Sequence, residues 1–281
     1  MIDLHCHTKV SDNSFTIREV ISMAKEEGVS HLAITDHDTT SGLLEAKLIG
    51  HELGVHIIPG IEISAYDYSR QTRAHILGLY VTPGHNALSE LCEPMIKKRH
   101  EASYAMVERI IAAGYDISWE LVESYAVGGT GVYKQHIMHA LLTKGYTETI
   151  YGTLYKKLFS RGEDGAAEGI AYMKLDYVNV YDAIDAIRQA GGVPVLAHPK
   201  QFNNFAAVPA WKTAGLQGIE VLHPLHDEQA EKLSRQIAVN FGLLQTGGSD
   251  FHGFYGEREG CPLGSKSIGE EHLMRLQEKA T

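Results

Sequence analysis

Disulfide chemistry, membrane-spanning runs and excess positive charge are all missing from this 281-residue chain. Its three cysteines, Cys6, Cys92 and Cys261, are odd in number, widely spaced and without a CxxC pair. That argues against a disulfide framework and for a reducing, cytoplasmic setting. No apolar run approaches the ~18 residues of a membrane span, and with a strand starting at the first residue no secretory leader is expected. The formal net charge is −10, which disfavours a basic surface that coats long nucleic acid. It leaves room for a nucleotide or short oligonucleotide held through metal ions, which bring their own positive charge.

Histidine is abundant instead. There are 16, and imidazole is the commonest metal ligand. Two of them lie in the opening stretch, MIDLHCH. Read as a strand, it puts Ile2, Leu4 and Cys6 on one face and Asp3, His5 and His7 on the other, so both imidazoles reach one ion. Alone, an HxH pair more often marks chance or core packing. Four later segments shift that weighting by ending short apolar runs in His, Asp or Glu: LAITDHD, IIPGIEIS, VLAHP and LLQTGGSDFH. A fifth, AHILGLYV, places His75 on a strand.

The intervening sequence spaces these segments. Thr16-Ile17-Arg18-Glu19 is a capping box that opens a helix ended by Gly28. Strands are expected at His31–Thr35, Val55–Ile58 and Thr72–Val81, with a helix over Ser41–Leu53. This β-α-β-α-β order indicates a parallel sheet covered by helices. Pro83-Gly84 breaks the pattern. Helices are then expected at Ala87–Ala113, Trp119–Tyr125, Tyr133–Leu142 and Thr149–Phe159, with a loop over Arg161–Gly169. Asn179 caps a helix to Ala190, and strands follow at Val193–Ala197, Gly218–Leu222 and Leu243–Thr246. The expectation is therefore an α/β barrel-like domain of about seven strands, residues 1–85 plus 176–281, with an all-helical insertion over 86–175. Active sites of such barrels collect at the C-terminal ends of strands, where His7, His37, Glu62, His198 and Asp250 fall.

Together HCH (His5, His7), TDHD (Asp36, His37), AHP (His198) and SDFH (Asp250, His252), with Glu62 in PGIEIS and His75 in AHILG, resemble the PHP family of metal-dependent phosphoesterases. The resemblance runs over nearly the whole chain and implies a distorted (β/α)7 barrel with the helical insertion. It is strongest to the branch that hydrolyses nucleoside 3′,5′-bisphosphates and trims short RNA or DNA from the 5′ end. The runs AGG-x-x-VLAHP at Ala190–Pro199 and GIEV-x-x-P-x-H at Gly218–His226 carry that likeness. One departure is Lys134-Gln135-His136 where that branch has Arg-Pro-His, which keeps the charge but loses the bidentate fork.

The resemblance implies two to three divalent ions (Mn, Fe or Zn). One would be held by His5, His7, Glu62 and Asp250. A second would be held by Glu62 with His75 and His198, and a third by Asp12, His37 and His252. Mixed imidazole–carboxylate donors suit those metals. A bridging carboxylate sets two ions ~3.5–4 Å apart, acidifying water for in-line attack on phosphorus. Glu62, Asp250 and His226 are the implied catalytic residues. Lys134, His136, Arg99, Lys200 and His223 are the implied substrate contacts, against the common fate of a lone Lys or Arg as a solvated charge. Arg73 is weighed in the same way, and Asp36 or Asp38 is read as orienting a histidine or shaping a turn. No obligate protein partner is evident. The rival readings are a histidinol-phosphate phosphatase, disfavoured by the insertion, and a non-catalytic metal-binding PHP module that binds a partner.

Overall fold

The computed structural model describes residues 1–162, 167–256 and 261–280. The chain divides into two compact units, one of residues 1–93 with 177–281 and one of residues 94–176.

The first unit is built on β1 (Ile2–Asp3), β2 (His31–Ile34), β3 (His56–Asp67), β4 (Thr72–Leu79), β5 (Val178–Asn179), β6 (Val193–Leu196), β7 (Gly218–Leu222) and β8 (Leu244–Gly247). The hydrogen-bonded path is β1-β2-β3-β4-β6-β7-β8, with β5 a short addition to β3. Its two ends meet. The Leu4 N–H donates to the Gly247 carbonyl and the Asp250 N–H to the His5 carbonyl, and Cys6 bridges to Phe251. The result is a nearly closed seven-stranded barrel.

The sheet is not wholly parallel. β4 runs antiparallel to both neighbours, β3 and β6. Only residues 68–71 separate β3 from β4, and a parallel return needs a crossover of about a dozen residues. The four-residue link therefore dictates a hairpin where the strand–helix alternation predicted a parallel sheet. β3 is also far longer than the expected Val55–Ile58, because Pro59-Gly60 stays extended and does not end it. Glu62 thus lies within a strand, but beyond the end of its parallel neighbour β2.

Around the barrel, α1 (Ile17–Glu26), α2 (Leu43–Leu53), α7 (Val180–Gln189), α8 (Val208–Ala214), α9 (Glu228–Phe241) and α10 (Glu270–Ala280) cover the strands. Helix α1 has the capping box at Thr16 and Glu19 and buries Ile17, Val20, Ile21 and Ala24. These join the strand residues Ile34, Ile61, Ile63, Ile76 and Ile219 and the helix residues Ile184 and Trp211 in one core.

Helix α3 (Asn86–Ala112) begins in the first unit and continues through the boundary with Pro94 inside it. The second unit adds α4 (Trp119–Tyr125), α5 (Lys134–Thr143) and α6 (Thr153–Phe159). Of the Arg161–Gly169 loop, residues 163–166 lie outside the described residues, while Arg161 and Glu168 form an antiparallel bridge.

Candidate metal centre

The ends of the barrel strands deliver buried imidazoles and carboxylates to one place. Glu62 is its centre. Its Oε2 lies 3.3 Å from His5 Nε2, 3.1 Å from His7 Nε2 and 3.3 Å from His37 Nδ1. Its Oε1 lies 2.9 Å from both His75 Nδ1 and His198 Nε2. Asp250 Oδ1 adds contacts of 3.2 Å to His5 and 3.3 Å to His7. On the far side of His7, Asp12 Oδ1 faces His7 Nδ1 at 3.5 Å and His252 Nε2 at 3.3 Å.

Three features of the backbone make this convergence possible. His198 and Asp250 both have positive φ, +26° and +50°, conformations non-glycine residues hold only when their surroundings enforce them. Gly248 packs against the backbone and Cβ of His5 so closely that any side chain there would overlap them. That contact brings the loop after β8 alongside the first strand.

Hydrogen bonds fix which ring nitrogen each imidazole offers. His5 Nδ1 donates to Glu220 Oε1 at 3.2 Å, which leaves the Nε2 lone pair facing Glu62 and Asp250. His252 Nδ1 donates to the Asp250 carbonyl at 2.8 Å, leaving its Nε2 for Asp12. His223 Nδ1 accepts from the Leu225 N–H, so its Nε2 donates to Asp250 Oδ2 at 3.2 Å. Carboxylate partners of this kind orient ligating histidines.

Two carboxylates support the set from outside it. Asp36 accepts from the Thr8 N–H and hydroxyl and from the Ser11 hydroxyl, and so shapes the turn carrying Asp12. Glu220 holds His5 and also accepts the His198 N–H at 2.8 Å. Sequence reading placed Glu220 on a strand and in the GIEV run, without a role. The signal was there: a glutamate inside the apolar run Gly218–Leu222 must be paired to be buried. Asp38 serves the backbone instead, accepting from the Ser64 N–H.

The electrostatics of the metal-free chain show what the cluster demands. Burial is the largest influence on Glu62 and would push its pKa up, but His37, His5 and His75 hold it well below the ordinary range. Asp250 and Asp12 are depressed in the same way, against burial, by His5 and His252 and by His252 and His37. Burial would deprotonate His7, yet Asp250, Glu62 and Asp12 raise its pKa to about 10. His75 goes the other way, lowered to about 4 chiefly by burial. His5 Nε2 and His7 Nε2 stand 3.3 Å apart, so a proton or a cation is needed between them.

Among the described residues four sets have ligand atoms lying within 4.8 Å of one another: His7, Asp12, His37 and His252; His5, His7, Glu62 and Asp250; His5, Glu220 and His223; and His37, Glu62 and His75. Imidazole nitrogens mixed with carboxylate oxygens are the donor chemistry of Mn, Fe and Zn, so these residues fit divalent cations.

A PHP domain model matches residues 3–190. The chain belongs to the PHP family of metal-dependent phosphoesterases. It is similar to a phosphoribosyl 1,2-cyclic phosphate 1,2-diphosphodiesterase of Eggerthella lenta, at 41% identity over 90% of this chain and 95% of that one. It is also similar to a 3′,5′-nucleoside bisphosphate phosphatase of Chromobacterium violaceum, at 30% identity over 89% of this chain and 87% of that one. A crystal structure from Bifidobacterium adolescentis, assigned as a metal-dependent phosphoesterase, superposes with a TM-score of 0.86 at 28% identity, covering 99% of this chain and 96% of that one.

The expected substrate contacts fall in different places. His223 is buried with both ring nitrogens engaged. His226 is buried beside it, its Nδ1 donating to the Val221 carbonyl at 2.8 Å and its Nε2 without a hydrogen-bond partner among the described residues. Lys200 is half exposed and pairs with Asp227 at 2.6 Å. In the helical unit, Arg99 stacks on Tyr133 and donates to its hydroxyl at 3.2 Å. There Lys134 lies 5.1 Å over the Phe159 ring, and His136 Nδ1 accepts the Tyr133 N–H at the start of α5. Among the described residues no helix is long and apolar enough to cross a membrane.

Proposed function

We propose that this phosphoesterase acts on a ribose carrying two phosphate groups, the preferred form being a ribose 5-phosphate whose second phosphate is a 1,2-cyclic diester. The observation that carries this reading is the 41% identity to the Eggerthella lenta enzyme across nearly the full length of both chains. Water adds to phosphorus and one ester P–O bond breaks, its oxygen leaving with a proton. The resulting monoester is hydrolysed in a second round that releases orthophosphate.

His5, His7, Asp12, His37, Glu62, His75, His198, Asp250 and His252 are the proposed ligands. Divalent cations there supply Lewis acidity that lowers the pKa of water and offsets charge on the phosphoryl oxygens. Glu62 is suited to bridge because both of its oxygens face imidazoles. The His223 N–H holds Asp250 Oδ2 and leaves Oδ1 turned to His5 and His7. His226, with Nδ1 committed to a carbonyl and its pKa lowered first by burial, presents a bare Nε2 that accepts a hydrogen bond from a sugar hydroxyl or water. Lys134, Arg99, His136 and Lys200 stay as proposed phosphate contacts on the strength of residue type and motif position.

A second reading, a nucleoside 3′,5′-bisphosphate or the 5′ end of a short oligonucleotide, draws on the Ala190–Pro199 and Gly218–His226 runs and on the 30% identical Chromobacterium violaceum phosphatase. Lys134 in place of that branch's arginine weakens it. A phosphate-release panel decides, using protein of measured metal content. The expected result is a kcat/KM on phosphoribosyl 1,2-cyclic phosphate at least about tenfold above that on the bisphosphate, or ~1.4 kcal/mol in barrier. The reverse order supports the second reading. Turnover of one-phosphate substrates alone would sink both.

A further inference from the structure

Arg73 has no part in the site described so far. It lies on β4, two residues before His75. Its guanidinium is sandwiched between two rings, with Cζ 4.6 Å from the Tyr177 centroid and 4.8 Å from the Phe202 centroid. The backbone beneath is fixed too, since the Arg73 carbonyl accepts from the Asn204 side chain at 2.9 Å. Its Nε is buried without a hydrogen-bond partner, and no carboxylate among the described residues pairs with it. An arginine so held has lost the freedom of its side chain and part of its hydration, and gains no ion pair in return.

Among the described residues its guanidinium has a single polar neighbour, an imidazole. Arg73 Nη2 lies 3.5 Å from His75 Nε2. His75 turns Nδ1 to Glu62 at 2.9 Å. The neutral ring donates its Nδ1–H to that carboxylate, so Nε2 is the acceptor that the guanidinium faces. The guanidinium thus meets one neutral imidazole and no anion, with its Nε–H left over, next to a cluster that itself takes cations. An anionic oxygen supplies the partner the guanidinium lacks, and a planar guanidinium braced by rings is the group best shaped to hold a phosphate.

We propose that the Arg73 guanidinium forms an anion subsite at the edge of the metal cluster, which takes the second, non-reacting phosphate of the ribose substrate. Tyr177 and Phe202 hold the guanidinium in place. The subsite makes Arg73 a specificity residue, not a member of the reacting set. The inference rests on the two-phosphate reading above, and the two are tested by different comparisons.

The variants are Arg73→Met, which keeps the bulk and removes the charge, and Arg73→Lys, which keeps the charge and loses the plane. Each is assayed on phosphoribosyl 1,2-cyclic phosphate, a nucleoside 3′,5′-bisphosphate and p-nitrophenyl phosphate, beside a thermal melt and metal analysis. Arg73→Met should raise KM on the two-phosphate substrates roughly 10- to 100-fold, with Arg73→Lys in between. The loss on p-nitrophenyl phosphate should be several-fold smaller, and bound metal should match wild type. Equal losses on all substrates, or a fall in metal content, would make Arg73 a support for His75 and overturn the inference. Unchanged KM in both variants would overturn it as well. The wild-type row alone tests the two-phosphate reading. If wild type releases phosphate only from p-nitrophenyl phosphate, that reading fails and the subsite falls with it.

Discussion

In the barrel, buried carboxylates face imidazoles: Glu62 alone lies within 3.3 Å of His5, His7, His37, His75 and His198. In the helical unit the half-buried cation Lys134 faces the Phe159 ring and shares its surroundings with Arg99, a like charge. The first arrangement joins residues from opposite ends of the chain and depends on backbone that only the closed barrel provides. The second joins residues on neighbouring helices. Removing a charge should therefore act in opposite directions. In the barrel it leaves partners stranded, whereas in the helical unit it relieves a cost.

The largest effect is expected at Glu62. In Glu62→Gln an amide replaces the one carboxylate that both halves of the cluster share, and its NH2 is turned towards imidazole nitrogens. Turnover should fall by a factor on the order of 10²–10³ or more, the scale of a lost charge-stabilising group. The thermal melt at saturating metal should fall far less. Near-normal kcat with an unchanged melt would mean that Glu62 is not shared between ions.

Next comes Glu220, which touches the His5 ring and the His198 backbone and lies in the GIEV run, where sequence reading gave it no role. Glu220→Gln keeps its shape and removes its charge. Partners of this kind typically set metal affinity by about 10–100-fold, so metal should be lost at chelator concentrations that wild type withstands. Excess metal should restore much of the kcat. A retained affinity with lowered kcat would move Glu220 from positioning into the chemistry.

Sequence reached the two regions unequally, and for physical reasons. His5, His7 and His37 stand at or just past strand ends, so alternation and barrel architecture point them to one place. Glu220, Asp36 and Arg73 act through partners 22 to 215 positions away or through stacked rings, and no local period encodes that. The antiparallel β4 was legible in principle from the short link at residues 68–71, but the regular strand–helix alternation before it outweighed that signal. In the helical unit, helix positions followed from capping and periodicity. The cation–ring contacts there depend on rotamers, which spacing alone does not set.

Smaller in scale is the proton linkage of metal binding. His7 in the metal-free chain has a pKa raised from 6.5 to about 10, burial being overcome by Asp250, Glu62 and Asp12. Its proton stabilises the empty site fully below about pH 6.5 and is lost as pH rises through about 10. A ligating imidazole must give up that proton, so metal binding releases it. Apparent affinity for Mn2+ should rise by up to about tenfold per pH unit across that window for this one proton. Calorimetry in buffers of different ionisation enthalpy measures the proton count directly. A count of zero near pH 7.5 would show that His7 is already neutral in the empty site.

The smallest effect is expected at Lys134, and its sign is the informative part. Burial first, and Arg99 second, lower its pKa from 10.5 to about 8. A lysine with a depressed folded pKa destabilises the fold while it is charged. The penalty is complete below about pH 8 and is relieved as pH rises towards 10.5, because over that range the unfolded chain binds more protons than the folded one. Lys134→Met keeps the aliphatic stem and removes the charge, so it should stabilise the protein at pH 7 by about 1–3 kcal/mol. Most of the gain should be gone by pH 10. Thermal melts of wild type and variant at pH 7 and pH 10 measure both. A natural chain that retains such a cost does so where the charge has a use, and the proposed use is contact with a substrate phosphate. Phosphate-release kinetics should then show a rise in KM on two-phosphate substrates accompanying the stabilisation. A variant that is no more stable at pH 7, or one whose gain persists at pH 10, would mean that Lys134 is well solvated in the folded chain, and the contrast between the two units would then reduce to one of residue type.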